Sequence, residues 1–333
     1  MYTMRRLRVN RANVGTRTLA RRNGVLPTPV GTVTTLLGTG LLFPSGVAVI
    51  PSSSTIVIAD TNNSVIKLLT YPGLSVSILA GTVGANSFAD GTGAAARFAY
   101  PLGVAVLQDG NIVVADTSNN RIRVVTPAGV VTTLAGSGAA GSNNNGTGTG
   151  ATFNGPSAIA VLQDGNIVVS GEGGEGIRLV TYPGGVVTTL TSSFSTYGLA
   201  VLPNGNIAAT SMNHTIRLVT YPGGVVTTLA GNGTSGSSDG TGSAARFYLP
   251  TGLTATLDGN IVVSDFFNYT IRLVTPLGVV TTIAGLVGTP GSANGTGTVA
   301  RFNRVRQLAT LPSGQIVLAA ESNYSVRMLT YPA

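Results

Sequence analysis

The side chains that carry most enzyme chemistry are scarce in this chain. Cysteine is absent from all 333 residues, and histidine occurs once, at His214. Without cysteine there are no disulfides, thiolate metal ligands or thiol nucleophiles. One histidine cannot build a multi-histidine zinc site, and it cannot complete a Ser/His/Asp set with the many serines. We read it as a variable residue in a solvent-exposed turn, where other copies of the pattern carry Asn120 or Tyr269.

Carboxylates recur instead, at Asp60, Asp116 and Asp265, with Glu172 and Glu321 in related places. Placed around a ring, their oxygens would suit a hard cation such as Ca²⁺. A short aspartate also caps a following turn, and we adopt that reading. Basic residues recur as well, at Lys67, Arg123, Arg178, Arg217, Arg272 and Arg327. One interpretation is an anion belt. The preferred one packs each stem along a neighbouring sheet and pairs each head with a recurrent aspartate. No catalytic residue, metal ligand or cofactor is assigned.

The net charge of +8 suggests an anionic partner until its distribution is read. Seven arginines, Arg5, Arg6, Arg8, Arg11, Arg17, Arg21 and Arg22, stand in the first 22 residues, without an acid among them. The other 12 basic residues face all 11 acids, so the rest of the chain is nearly neutral and no basic platform for RNA. The arginines are candidate binding residues for an acidic protein groove, or alternatively for nucleic-acid phosphates. The opening MYTMRRLRVNR lacks the apolar core of a secretory signal, although it has the acid-poor composition of a transit peptide. No apolar run approaches the roughly 18 residues that span a bilayer, so no membrane partner is expected. The compartment is left open.

The elements that must position these residues are repeats. The unit GVAVLQDGNIVVADTSNNRIRVVTPAGVVTTLAG starts at Gly103 and returns from Ala158, Gly198 and Gly252, with weaker copies from Gly46 and Gln307. That makes six. Each unit holds four short β-rich runs, in the second copy 104–107, 112–115, 122–126 and 130–134. Asp109-Gly110 supplies a hairpin turn, and Thr-Pro-Ala-Gly or Thr-Tyr-Pro-Gly supplies another. Four antiparallel strands without helical periodicity make one propeller blade. The sixth copy stops after its third run, while residues 31–38 are a stray fourth run. Pairing the two closes the ring and removes two exposed edges.

Glycine-rich stretches such as 136–150 lack the Gly-Lys-Ser/Thr ending and the helix of a phosphate loop. They join blades, and they are long after units one, two, four and five but short after three and six. That pattern predicts a pseudo-twofold face, with two raised flanks around a trough as a partner site, to be tested by alanine scanning of loop residues 143–145 and 232–238.

The run DGTGAAARFxxPxGVAV…GNIVVADxxNxRIR, present at 90–122 and 239–271 and more loosely at 294–326, resembles the NHL repeat. The resemblance covers residues 31–333. It implies a propeller whose relatives serve in RNA binding, protein interaction and scaffolding. One branch is a metal-dependent lyase, and related lactonase-like propellers hold calcium. Those enzymes use His, Asp, Glu or Asn at the central axis.

The expectation is therefore an all-β, six-bladed β-propeller with four antiparallel strands per blade (residues 30–333), closed by an N-terminal strand. A basic N-terminal arm (1–29) precedes it. Functionally it reads as a non-enzymatic scaffold tethered by its arm into a larger assembly of other proteins, such as a virion or ribonucleoprotein particle. Nucleic-acid binding through the arm is the alternative, and a metal-dependent lyase or hydrolase comes third.

Overall fold

Short Val/Ile-rich runs separated by Gly and Pro turns favour strands buried on both faces. A computed structural model describes residues 30–141, 144–174 and 176–331. They form six antiparallel sheets around one axis. The ring closes because the inner strand Pro44–Ile50 of blade 1 packs between Pro101–Val106 of blade 2 and Val305–Thr310 of blade 6.

Blade 2 shows the pattern. Its strands run Pro101–Val106, Ile112–Asp116, Arg121–Val125 and Val130–Ala135 from the axis outward. The first hairpin differs from the expected two-residue Asp-Gly turn. Leu107 N–H donates to Asn111 O at 2.8 Å, and only Gly110 is left-handed, with φ 84°. This is a longer turn ending in a glycine bulge, so glycine is needed at one position only.

Four blades also carry a fifth strand that the repeat reading did not expect. Gly91–Thr92, Gly146–Thr147, Gly240–Thr241 and Gly295–Thr296 add to the outer edges of blades 2, 3, 5 and 6. They come from the long connecting loops, which thus run along the rim rather than standing only as raised flanks. Blades 1 and 4, opposite each other, keep four strands.

The closure expected from the stray copy is present. Thr32–Leu37 pairs antiparallel with Ser325–Thr330, setting Val33 against Leu329 and Thr35 against Arg327. Each pair of neighbouring blades shares its own apolar core, including one between blades 6 and 1. Phe98, Phe153, Phe247 and Phe302 anchor four of these cores and are completely buried or nearly so. Each contributes roughly 1.5–3 kcal/mol, more than an exposed ion pair at up to ~1 kcal/mol. Apolar layering is therefore what holds blade to blade. No helix among the described residues is long and apolar enough to cross a membrane.

Candidate functional site at the axial mouth

The recurrent aspartates and basic residues are structural, with partners that differ partly from expectation. Arg123 meets Asp116 at 2.5 Å and Arg272 meets Asp265 at 2.7 Å, while Lys67 meets Asp60 at 2.6 Å. Those three pairings match the expected head-to-aspartate contact. Arg178 and Arg327 instead donate to backbone carbonyls and to Asn145 and Asn294, and Arg217 donates to threonine hydroxyls. Phe98, Phe153, Phe247 and Phe302 lie 5.0–5.5 Å beneath the guanidinium carbons of Arg123, Arg178, Arg272 and Arg327.

The aspartates do not cap the backbone of the following turn. Asp116 accepts from the Asn119 side-chain amide and from Ala99 N–H, which ties the blade's entry loop to its second strand. Asp60 and Asp265 do the same with Asn63 and Leu42, and with Asn268 and Tyr248. Burial pushes the Asp265 carboxyl up to about 6, against the pull of Arg272 and these donors. Burial also pushes Asp116 up.

His214 is half-buried rather than in an exposed turn. Its Nδ1 accepts from Leu249 N–H at 3.0 Å. Asn120 Oδ1 receives Gly155 N–H in the same way. Both residues are left-handed, with φ 62° and 51°. The position thus links one blade to the next, and any side chain with an acceptor in reach serves. Arg5, Arg6, Arg8, Arg11, Arg17, Arg21 and Arg22 lie outside the described residues.

What the axis holds was not foreseen. In four of the six units the inner strand passes the axis at a glycine: Gly46, Gly103, Gly198 and Gly252. A Cβ on any of them would overlap a backbone oxygen of the next blade, so the waist is as narrow as backbone allows. Blade 6 departs from this pattern with Gln307. Its Nε2 donates to Val104 O at 3.1 Å, across Gly46 of the intervening blade. The space left at the waist is about 20 Å³, enough for one water.

The waist separates two unlike mouths. On the side of the inner hairpins lies a funnel of about 700 Å³, lined by apolar residues such as Val49, Ile50, Val106 and Val201 and by no charged one. On the other side lies a pocket of about 280 Å³, lined by Arg306, Glu172, Glu321, Phe43 and Tyr100 with several hydroxyls.

Arg306 Nη2 meets Glu172 Oε1 of blade 3 at 2.7 Å, and its Nη1 lies 3.6 Å from Glu321 Oε2. Burial pushes the Glu321 carboxyl up, against the attraction of Arg306 and Arg304 and with added repulsion from Glu172. A guanidinium thus stands between the two carboxylates. Among the described residues, no group of three or more His, Cys, Asp or Glu converges on a metal position.

Aromatic residues gather on this face. Phe43 and Tyr324 meet edge-on at 4.9 Å, and Tyr248 and Phe267 lie 5.1 Å apart. Tyr100, Tyr248 and Tyr324 are each at least 40% exposed. Phe43, Tyr100 and Tyr324 each stand at a left-handed backbone position in a different unit.

The NHL repeat model matches residues 98–125, which run from the Phe98 anchor through the Asp116–Arg123 pair to the end of the third strand of blade 2. The chain is a six-bladed β-propeller that carries an NHL repeat. This NHL propeller is 32% identical over 145 residues to the chloroplastic protein SUPPRESSOR OF QUENCHING 1 of Arabidopsis thaliana, covering 41% of this chain and 14% of that one. It is 33% identical over 139 residues to NHL repeat-containing protein 2 of Bos taurus, covering 39% and 19%. The matches thus span less than a fifth of either curated relative.

Among solved structures, the NHL propeller resembles a Bacteroides thetaiotaomicron protein of unknown function, with TM-score 0.73, 18% identity, and 91% and 76% of the two chains covered. It also resembles a gluconolactonase of Xanthomonas campestris, with TM-score 0.65, 12% identity and coverage of 91% and 90%. A streptogramin B lyase aligns with TM-score 0.59, 13% identity and coverage of 91% and 98%. At such identities the likeness is one of fold.

Proposed function

We propose that this NHL propeller is a non-catalytic interaction scaffold that seats a partner protein on the Arg306–Glu172 face. The observation that carries this reading is the ion pair across the axis. It places a guanidinium at the axial mouth and neutralises one of the two carboxylates there. Exposed tyrosines around a polar centre favour the reading, because they supply contact area at small entropic cost. The arginines of residues 1–29 are the tether in this proposal, holding the ring within a larger assembly of proteins.

Photocrosslinkers at Tyr100 and, on the opposite face, at Leu257 test it in the native setting. The reading expects one partner crosslinked from Tyr100 and not from Leu257, and recaptured by the purified ring. Equal crosslinking from both positions would count against it. So would turnover of a lactone or cyclic depsipeptide that is lost in Glu172→Gln. Removing residues 1–24 should abolish incorporation into the assembly while leaving a folded ring. If the arm grips nucleic acid instead, affinity should fall steeply with salt, by about 0.7–0.9 log units per contacted phosphate for each log unit of salt.

A further inference from the structure

Blades 2, 3, 5 and 6 share one lock between a loop and a blade edge. The third-strand arginine pairs in register with an outer-strand threonine: Arg123 with Thr133, Arg178 with Thr189, Arg272 with Thr282, and Arg327 with Thr35. An Asp or Asn of the incoming loop, followed by Gly-Thr-Gly, completes it. Asp90 accepts from Arg123 Nη2 at 2.6 Å and from the Thr133 hydroxyl and N–H. Asp239 does the same with Arg272 and Thr282. Asn145 and Asn294 fill the position in blades 3 and 6. The following Gly-Thr pairs with the outer strand, and the next glycine donates to the carbonyl of a turn glycine, as Gly93 does to Gly129 at 2.9 Å.

Blade 4 has the receiving half of this lock without the inserted half. Arg217 pairs in register with Thr228, and Gly224 stands at the turn position. The loop entering blade 4 carries no Asp- or Asn-Gly-Thr-Gly segment, and no fifth strand is present. Arg217 donates to the hydroxyls of Thr215 and Thr228 and has no carboxylate partner among the described residues. Beside it lies a groove of about 420 Å³ lined by Phe194, Met212, Asn213, Arg217 and Val226. Val225, where a pairing strand would lie, is 60% exposed. Blade 1 is not equivalent. There Lys67 faces Ile78 in place of threonine, and its ammonium is satisfied by Gly40 O and Asp60.

We propose that the outer edge of blade 4 binds, in trans, an extended peptide of a partner protein carrying Asp or Asn followed by Gly-Thr-Gly. The carboxylate or amide meets Arg217 and Thr228, and the Gly-Thr adds a strand to Val226–Ala230. This chain's own four such segments are already used in cis, so the segment comes from another protein.

The test titrates the full chain with a synthetic peptide of residues 86–98, Asn-Ser-Phe-Ala-Asp-Gly-Thr-Gly-Ala-Ala-Ala-Arg-Phe, and follows binding by calorimetry and amide hydrogen exchange. Saturable binding is expected, with slowed exchange confined to the outer strand of blade 4. Replacing the peptide's Asp by Lys, or Arg217→Gln in the protein, should weaken binding at least about tenfold. No binding at millimolar peptide would overturn the proposal. So would equal affinity for the Lys peptide, or protection on the other blades. Should Arg217→Gln fail to fold, the Lys peptide and the exchange map decide the matter alone.

Discussion

Arg306 of blade 6 and Glu172 of blade 3 meet at 2.7 Å and so join two blades that stand opposite each other across the axis. The other ion pairs among the described residues each tie a side chain to its own blade or to that blade's entry loop. Glu172 is 45% exposed, and a pair that open to solvent is worth at most ~1 kcal/mol. Its role is to set the shape and charge of the mouth more than to hold the ring together.

Arg306→Ala should therefore act mainly through Glu321, whose side chain is only 15% exposed and would lose its nearest cation. A loss of about 1–3 kcal/mol is expected. Adding Glu321→Gln should restore most of it, and adding Glu172→Gln should restore little. Urea denaturation of the three variants separates the contributions. Equal rescue by both changes would refute this assignment.

The pH dependence of Glu321 carries a definite sign. Its folded pKa is raised by burial, so folding disfavours the ionised form. That cost is in force above the folded pKa and is relieved as pH falls toward the unfolded value of about 4.3. Glu321→Gln should raise the melting temperature at pH 8 and lose that advantage by pH 4. A gain that persists unchanged at pH 4 would contradict the burial argument.

Tyrosines of the Thr-Tyr-Pro-Gly turns latch blades 3 and 4 to their predecessors. Tyr182 donates to Asp109 at 2.6 Å and Tyr221 to Asp164 at 2.7 Å. Burial works to raise Asp109, but hydrogen bonds from Tyr182 and Asn111 outweigh it and hold the carboxyl below its ordinary value. Its contribution to stability is present above the unfolded aspartate pKa and is lost as pH falls through the folded one. Tyr182→Phe should cost about 0.5–1.5 kcal/mol and shift the Asp109 titration upward, as read by carboxyl-carbon NMR.

Blade 6 offers a stabilising change. Arg327 is buried without a carboxylate partner among the described residues, and burial alone lowers it to about 10. Blades 2 and 5 have Asp90 and Asp239 where blade 6 has Asn294. Asn294→Asp should stabilise the ring by ~1 kcal/mol, a modest gain because the new carboxylate would be half-exposed. Thermal unfolding checks it, and a lower melting temperature would show that the site does not tolerate the charge.

Deleting residues 31–38 should leave the outward edges of Ser325–Thr330 and Gly295–Thr296 without partners. Light scattering should then detect aggregation, because two open strand edges recruit one another between molecules. A monomeric product of unchanged stability would remove closure as the reason this strand exists.

How much was legible follows from which residues keep phase with the repeat. Blade number, the split last blade and the pairing of Arg123 with Asp116 and of Arg272 with Asp265 could be read from spacing. Each recurs at a fixed offset inside one unit, and local pairing in an antiparallel sheet depends on that offset alone. The Asp90-Gly-Thr-Gly motif does not read as a strand in the sequence, because two residues are too few to show alternation. A signal for the axis was present: Arg306-Gln307 replaces the Ser45-Gly46 of the first copy. Its meaning was hidden, since a break in a repeat does not say what the new side chain will reach.

Sequence by itself thus determined six blades, their order and the closing strand, through contacts between near neighbours or matching copies. Only the tertiary structure decided that Arg306 faces Glu172, that Gln307 bars the waist and that the edge of blade 4 stays open. Those relations join residues from far-apart units, and their distances depend on the radius and closure of the whole ring.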